Sequence, residues 1–237
     1  MWSRWWLQEL SDPTYSDEVL PLLMSVLQPE MGRMYLDVGC GEGRVMRAVS
    51  DTGATVVGCD SNVELLTVAR SRGPVLQVSL PSLAPFTGGS FAGAYLCLVL
   101  EHLEDERPMF NEAARVVAPG GVLALVVNHP MITSPDSVPI LDPADGEVLW
   151  RFGRYQDEGG FTIEPAGAGV LSFYHRSLGR LLTSASEAGW DLERLVEQTP
   201  GQEHVARVPA LEGQQDIPRL LGVRWRRRPD IGHGRTG

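Results

Sequence analysis

The chain has 237 residues, 43% of them hydrophobic, and a formal net charge of −10. This length suits one domain with a sizeable buried core, and the acidic balance argues against binding to a nucleic-acid backbone as the main activity. The twenty basic residues are all arginine. The chain therefore has no lysine for a Walker-type phosphate loop or for a Schiff base with pyridoxal phosphate.

No apolar run reaches the roughly 18–20 residues that span a bilayer, and the N-terminus lacks the unbroken apolar stretch of a signal peptide. The cysteines, Cys40, Cys59 and Cys97, are far apart and show neither disulfide nor zinc-ligand spacing. We therefore expect a cytoplasmic protein that neither binds a metal nor associates with a membrane.

Short apolar runs alternate with amphipathic segments along the chain. The apolar runs predict strands at 34–39, 55–60, 74–80, 93–99, 122–128, 190–197 and 218–229. The amphipathic segments predict helices at 43–52, 63–71, 108–121 and 177–189. Strands that alternate with helices of this length form right-handed β-α-β units. The pattern thus predicts an α/β fold with a mostly parallel sheet and helices on both faces.

Two segments fall outside this alternation, a helical one at 1–30 and a long one at 129–175, which we call the cap and the lid. They contain ten of the seventeen aromatic residues: Trp2, Trp5, Trp6, Tyr15, Trp150, Phe152, Tyr155, Phe161, Phe173 and Tyr174. Ligands of open α/β sheets bind beyond the carboxyl ends of the strands, where an insert after the fifth strand emerges. The aromatic residues either line an apolar pocket there or simply pack the lid onto the sheet.

A glycine-rich turn, DVGCGEG at 37–43, follows the first predicted strand. Glycines allow the backbone to approach a ligand closely, and the start of a helix offers N–H donors. The third glycine comes two residues after the second, not three as in the dinucleotide fingerprint, which disfavours a nicotinamide-dependent oxidoreductase. Asp37, on the strand, suits a ligand with a cationic head, and Asp60, at the end of the second strand, suits ribose hydroxyls.

At these residues the sequence resembles the class I S-adenosylmethionine-dependent methyltransferases, particularly those that act on small molecules. The resemblance runs from about residue 33 to 128 and more loosely to 227. It rests on YLDVGCGEGR (35–44), GCDSN (58–62), LAPFTGGSF (83–91) with LVLEHLED (98–105), and ARVVAPGGVLALVV (114–127). It implies a Rossmann-like, seven-stranded, mostly parallel sheet whose last strand is antiparallel.

The resemblance also implies S-adenosylmethionine as cofactor and S-adenosylhomocysteine as product. The implied binding residues are Asp37, Gly39, Cys40 and Gly41 for the methionine part, the backbone around Leu98 for its amino group, Asp60 for the ribose, and Ser61, Ser79 and Leu80 for the adenine. Many relatives have an Asp near 79–80 that accepts from the adenine amino group, but this chain reads QVSLPS. One lost hydrogen bond corresponds to about 1 kcal/mol.

Three histidines are candidates for a general base in methyl transfer to a hydroxyl group. His102 follows the fourth predicted strand, His129 follows the fifth, and His175 ends the lid. Each has an alternative interpretation as a hydrogen-bonded structural residue. Methyl transfer is an in-line displacement that positioning alone accelerates, so a base is not obligatory.

These observations predict a methyltransferase that acts on O, N or C of a small, apolar or aromatic acceptor, as a monomer or homodimer and without nucleic-acid partners. We expect one domain over 1–237, with cap helices at 1–30, a cofactor-binding half at 31–128, the lid at 129–175, and a C-terminal helix and strands at 176–237. The alternative is a non-catalytic or accessory protein that retains the fold.

Overall fold

The computed structural model describes residues 13–164 and 170–229. Its strands are, in chain order, β1 (Met34–Val38), β2 (Thr55–Asp60), β3 (Val75–Gln77), β4 (Phe91–Cys97), β5 (Val117–Asn128), β6 (Val138–Leu141), β7 (Val148–Arg151), β8 (Gly159–Ile163), β9 (Leu171–His175), β10 (Trp190–Gln198) and β11 (Leu220–Arg227). Its α-helices are α1 (Leu20–Leu27), α2 (Arg44–Ser50), α3 (Val63–Ala69), α4 (Arg107–Val116), α5 (Pro130–Thr133), α6 (Leu178–Glu187) and α7 (Gln202–Arg207).

Seven of these strands form one sheet in the order β10-β11-β5-β4-β1-β2-β3. Strand β1 is parallel to β2 and β4, β2 is parallel to β3, and β4 is parallel to β5. Strand β11 is antiparallel to both of its neighbours, β5 and β10, so β10 runs in the direction of β5. This topology confirms the predicted Rossmann-like sheet with an antiparallel last strand.

The two faces of the sheet carry two hydrophobic clusters, because successive side chains of a strand point to opposite faces. On β4, Ala94 and Leu96 pack in the cluster that includes Phe110 of α4. Tyr95 and Cys97 pack in the other cluster with the cap helix α1 and with α2. Helix α1 of the cap thus covers one face of the sheet over β5 and β11, and Tyr15, before it, lies near the end of β4.

Two predicted boundaries were wrong. The third strand was expected at 74–80 but is only Val75–Gln77, because its partner β2 ends at Asp60, the residue opposite Gln77. The helix expected at 108–121 ends at Val116, and β5 begins directly at Val117. Pro119 cannot donate a backbone hydrogen bond in a helix, so the chain extends into the sheet before the predicted start of the strand.

The lid and the segment after β10 contain elements that the sequence did not reveal. The lid folds into two hairpins, β6–β7 and β8–β9, and the segment after β10 contains helix α7. All four residues of β6 are exposed, so the strand lacks the alternation that marks a half-buried strand. Of the cap, residues 13–27 are helical, whereas Trp2, Trp5 and Trp6 lie outside the described residues.

A buried ionic network joins the end of the lid to the loop after β4. Glu106 has no exposed surface. Its carboxylate accepts hydrogen bonds from Nε of Arg176 at 2.9 Å, from Nε of Arg180 at 2.9 Å and from the Ser184 hydroxyl at 2.6 Å. Arg176 also donates to the backbone oxygens of Leu100, at 2.9 Å, and Leu103. The network therefore sets the position of β9 relative to the segment that carries His102.

The helices of the described ranges 13–164 and 170–229 include none that is long and apolar enough to cross a membrane.

Candidate functional site

A cavity of about 540 Å³ opens at the carboxyl ends of β1, β2 and β4. This volume is in the range of small-molecule sites. The residues that line it come from the cap, the glycine turn, the first turns of α2 and α3, the ends of β1, β2 and β4, the segments that follow β3 and β4, and the start of β9. They are Tyr15, Asp37, Gly39, Cys40, Gly41, Glu42, Arg44, Val45, Asp60, Ser61, Asn62, Leu65, Ser79, Leu80, Cys97, Leu98, Val99, His102, Leu103, Val170, Leu171 and Ser172. All nine residues expected to contact the cofactor are among them.

The glycine turn follows β1 closely and leaves its inner side open. Gly39 has a φ of +76°, and a Cβ there would approach the Val99 side chain to 2.5 Å, so neither the conformation nor the space admits a side chain. The N–H groups of Gly39 and Cys40 both donate to the Cys59 carbonyl, at 2.8 and 2.9 Å. Burial raises the pKa of the Cys40 thiol well above its usual range, so it remains neutral.

Asp60, the last residue of β2, organises the turn from the adjacent strand. Its Oδ2 accepts from the Gly41 N–H at 2.9 Å, and its Oδ1 accepts from the Asn62 N–H at 2.8 Å. A carboxylate has about four acceptor positions, so each oxygen retains capacity for a further donor. Because Asp60 lines the cavity, that capacity is available to the hydroxyl groups of a ligand.

Asp37 is buried at the base of the cavity with an incomplete set of partners. The side chain is 2% exposed, and no described residue hydrogen-bonds to its Oδ2. Burial raises the pKa of this carboxyl well above its ordinary value, and the charges of Asp60 and Glu42 raise it further, against the opposing effects of the Tyr95 hydroxyl and the Met46 amide. An acidic oxygen in this setting is suited to bind a cation that enters the cavity.

The backbone bends at Leu98, directly after β4. Leu98 has a φ of +56°, which is strained for a large side chain, and its N–H donates to the Val126 carbonyl at 2.8 Å. The bend turns the following residues along the cavity, so that Val99, His102 and Leu103 form one of its walls.

The opposite end of the cavity is lined by Ser61, Asn62, Leu65, Ser79 and Leu80. The described residues of this end include no acidic side chain, in agreement with the sequence QVSLPS. The Asn62 side chain is the N-cap of α3 and accepts from the N–H groups of Glu64 and Leu65. This end is therefore bordered by hydroxyl, amide and aliphatic groups.

Tyr15 and Arg44 line the cavity although neither was among the predicted site residues. The Arg44 guanidinium lies 5.2 Å from the centre of the Tyr15 ring and 3.5 Å from Glu42 Oε1, and the Tyr15 hydroxyl is 3.7 Å from Cys97 Sγ. Arg44 directly follows the glycine turn, which is a local signal that was available. Tyr15 is the only cavity-lining residue among the described aromatic residues of the cap and lid; the lid contributes Val170, Leu171 and Ser172 instead.

His102 is the one of the three candidate histidines that lines the cavity. Its Nδ1 lies 2.9 Å from the Ser172 carbonyl oxygen. A carbonyl only accepts, so Nδ1 carries the hydrogen, and Nε2 of the neutral ring is left with its lone pair. The ring packs edge-on against Phe173, with 4.6 Å between centroids, and no described residue hydrogen-bonds to Nε2. The imidazole is held in the tautomer of a proton acceptor.

His129 and His175, the other two candidate histidines, do not line the cavity. His129 caps α5: its Nδ1 accepts from the Met131 N–H at 3.1 Å, and its Nε2 is 2.9 Å from Glu197 Oε1. The His175 ring contacts the Thr133 hydroxyl and the Tyr155 carbonyl, at 3.1 and 2.9 Å, and burial lowers its pKa. Both rings use both nitrogens within the protein.

Comparison with known proteins agrees with this geometry. Residues 36–125 match the methyltransferase-domain family. The chain is 36% identical over 130 residues to a ubiquinone biosynthesis O-methyltransferase of Paracidovorax citrulli, covering 50% of this chain and 54% of that protein. It therefore spans about half the length of this relative. It is 33% identical over 236 residues to a protein of the same name from Thiobacillus denitrificans, covering 93% of this chain and 91% of that one.

A solved structure extends the similarity to three dimensions. The crystal structure of an S-adenosylmethionine-dependent methyltransferase from Mesorhizobium loti superposes with a TM-score of 0.78 at 28% identity, over 89% of this chain and 99% of that one. The sheet, the glycine turn and these similarities show that the chain belongs to the class I S-adenosylmethionine-dependent methyltransferases, an enzyme family whose cofactor is S-adenosylmethionine.

Proposed function

We propose that the protein transfers a methyl group from S-adenosylmethionine to an oxygen, nitrogen or carbon atom of a small organic acceptor. The observation that carries the proposal is the pair of acids in the cavity. Asp37 has a buried oxygen without a partner, and Asp60 has a carboxylate with spare acceptor capacity. The first suits an ammonium group and the second suits ribose hydroxyls.

The residues of the cavity fit the cofactor. Asp37 Oδ2 would hold the ammonium group, the glycine turn would lie along the methionine chain, and Asp60 would hold the ribose. Leu65 and Leu80 border the end that would receive the purine. When bound, S-adenosylmethionine supplies an electrophilic methyl group on a positively charged sulfur.

The acceptor is proposed to be uncharged and apolar or aromatic. The wall that contains Val99, His102 and Leu103 is aliphatic apart from the histidine, and Val170 and Leu171 from the lid add further aliphatic surface. Such a wall excludes water and receives an apolar molecule without leaving a buried charge unpaired. The names of the two curated relatives, which refer to ubiquinone biosynthesis, support an acceptor of this class.

His102 is proposed to accept the proton when the acceptor atom is a hydroxyl oxygen. The Ser172 carbonyl fixes the hydrogen on Nδ1, so Nε2 is the basic atom. Positioning of the acceptor against the methyl donor is the larger part of the catalysis that this chain supplies, and removal of the proton adds to it.

Calorimetric titration with S-adenosylmethionine and S-adenosylhomocysteine tests the proposed cofactor site. We expect micromolar binding of both ligands to the wild type. Asp60→Ala removes a charged acceptor of hydrogen bonds and is expected to weaken both by at least about tenfold. Glu64→Ala is the matched control, because it removes an exposed acid four residues after Asp60, in the first turn of α3. A folded wild type that fails to bind at millimolar concentration would favour an accessory role.

Exchange of His102 tests the proposed base. With a hydroxylated aromatic acceptor that the wild type methylates, His102→Gln is expected to lower kcat by about 10²–10⁴-fold, measured as release of S-adenosylhomocysteine. His129→Gln is the control, because His129 lies outside the cavity, and its kcat should remain near that of the wild type. An unchanged kcat in His102→Gln would show that the acceptor needs no base from this residue.

A further inference from the structure

A buried tyrosine hydroxyl behind Asp37 has no described hydrogen-bond partner. Tyr95 lies on β4 with no exposed surface, and its Oη is one of few buried polar atoms among the described residues that lack a partner. Another is Asp37 Oδ2. The two residues are opposite each other in the parallel register of β1 and β4. Two buried polar atoms without hydrogen-bond partners therefore belong to neighbouring side chains at the base of the cavity.

The two side chains interact, although the Tyr95 hydroxyl and Asp37 Oδ2 lie outside strict hydrogen-bond geometry. Burial raises the pKa of Tyr95 well above its usual range, and the negative charge of Asp37 and its hydrogen-bonding interaction with the hydroxyl raise it further. The hydroxyl therefore keeps its proton in the neutral pH range, and it is a donor beside an acid. A buried hydroxyl without a partner destabilises a folded protein, and phenylalanine would fill the same space without that cost.

The charges around Asp37 show that its ionised form needs the Tyr95 hydroxyl as a hydrogen-bond donor. The titratable groups that interact with Asp37 are acidic or weakly acidic: Tyr15, Cys40, Glu42, Cys59, Asp60, Tyr95 and Cys97. A cation that enters the cavity requires an ionised Asp37, and an ionised carboxylate requires donors. The O–H of Tyr95 is such a donor beside Asp37, from a residue that does not itself line the cavity.

We propose that Tyr95 is a positioning residue: its hydroxyl donates to ionised Asp37 and holds Oδ2 toward the ammonium group of the bound cofactor. This inference rests on the proposed function, because it requires a ligand with an ammonium group. Tyr95 does not line the cavity, so it acts through Asp37 and touches no reacting atom.

The test compares two ligands that differ in the ammonium-bearing part. S-adenosylhomocysteine has the amino acid chain, whereas 5′-methylthioadenosine has the same adenosine thioether without it. Tyr95→Phe is expected to raise the Kd for S-adenosylhomocysteine about tenfold and to leave the Kd for 5′-methylthioadenosine within twofold of the wild type, both by calorimetry. The melting temperature of the ligand-free variant should equal or exceed that of the wild type.

A double-mutant cycle shows whether Asp37 transmits the effect. In an Asp37→Asn background, Tyr95→Phe should change the Kd for S-adenosylhomocysteine by less than twofold, since the charge that needs the donor is gone. Tyr35→Phe is the matched control, because Tyr35 is also buried but its oxygen accepts from the Glu30 N–H at 3.0 Å. That variant should lose thermal stability and keep its affinity for both ligands.

Three results would overturn the inference: an unchanged Kd for S-adenosylhomocysteine in Tyr95→Phe, an equal loss for both ligands, or additive effects in the cycle. An equal loss would indicate a distorted cavity instead of an ammonium-specific effect. Failure of the wild type to bind S-adenosylhomocysteine would contradict the proposed function itself, and it is distinguishable because it is read on the unmutated protein.

Discussion

Replacement of Glu106 by glutamine is expected to lower the free energy of unfolding by about 3–5 kcal/mol. Glu106 is fully buried and binds Arg176 and Arg180 through its two oxygens. Arg176 is itself 7% exposed, so the glutamine leaves a buried guanidinium without its negative partner. Chemical denaturation with an unchanged m-value is the measurement.

Asp105→Asn is the control for this prediction, because Asp105 precedes Glu106 in the chain and pairs with Arg107 at the surface. Exposed pairs contribute about 0–1 kcal/mol, so this variant should remain close to the wild type. A Glu106→Gln variant that lost less than 1 kcal/mol would contradict the view that the network holds the lid. Loss of the network should also reduce kcat, because Arg176 bonds the loop that leads into His102.

Acid should weaken the same network. Burial opposes the charge of Glu106, but the hydrogen bonds from Arg180 and Ser184 outweigh it, and the pKa lies below the ordinary 4.5. A carboxyl whose pKa is lowered by folding stabilises the protein above its unfolded pKa, and this contribution is lost as the pH falls through the folded pKa. The wild type should therefore lose stability below about pH 4.5, and Glu106→Gln should lack this part of the dependence.

Asp37→Asn is expected to weaken the binding of S-adenosylmethionine by about 10–100-fold and to stabilise the ligand-free protein. A hydrogen bond to a charged group contributes about 1.5–3 kcal/mol, which corresponds to this range of affinity. Burial and the charges of Asp60 and Glu42 make the ionised form of Asp37 unfavourable in the ligand-free protein, so a neutral side chain of the same shape removes a buried charge. Calorimetry and thermal unfolding measure the two opposite effects.

The dependence of both quantities on pH follows from the raised pKa of Asp37. The folded protein holds the proton between the ordinary value of 3.8 and the raised value. Stability of the ligand-free wild type should therefore decrease as the pH rises through that interval, while affinity for the cationic ligand increases. Binding should release protons, which calorimetry in buffers of different ionisation enthalpy detects.

Asp51→Asn is the control, because Asp51 is an exposed acid paired with Arg47. It should retain the affinity and the proton release of the wild type. An Asp37→Asn variant with unchanged affinity would show that the ammonium group is bound elsewhere.

The sheet was predictable because its strands are buried on both faces and read as apolar runs. β1, β2 and β4 were found from such runs, and Asp37 and Asp60 were placed at strand ends by the same argument. The hairpins of the lid were not predictable. Strand β6 is exposed along its whole length, so its side chains carry no alternation that distinguishes a strand from a loop.

The histidines show where prediction of the site ended. The sequence placed His102 and His129 after neighbouring strands, which is correct for the backbone. The direction of each side chain is determined by hydrogen-bond partners that are distant in sequence. The His129 ring caps α5 and contacts Glu197, whereas the His102 ring bonds to the Ser172 carbonyl at the cavity. These partners lie 68 and 70 residues away from their histidines, and no local pattern identifies them.

Local sequence was sufficient for the class of chemistry, because the spacing of the glycine turn and the acids at two strand ends are properties of short segments. It also established the absence of lysine and the apolar nature of the strands. The folded chain alone decided which groups lack partners. Asp37 and Tyr95 are 58 positions apart in the sequence and meet through the register of β1 and β4. Whether a buried polar atom has a hydrogen-bond partner depends on every neighbour that packing brings to it. Only the three-dimensional structure therefore identifies the buried groups that could bind a ligand.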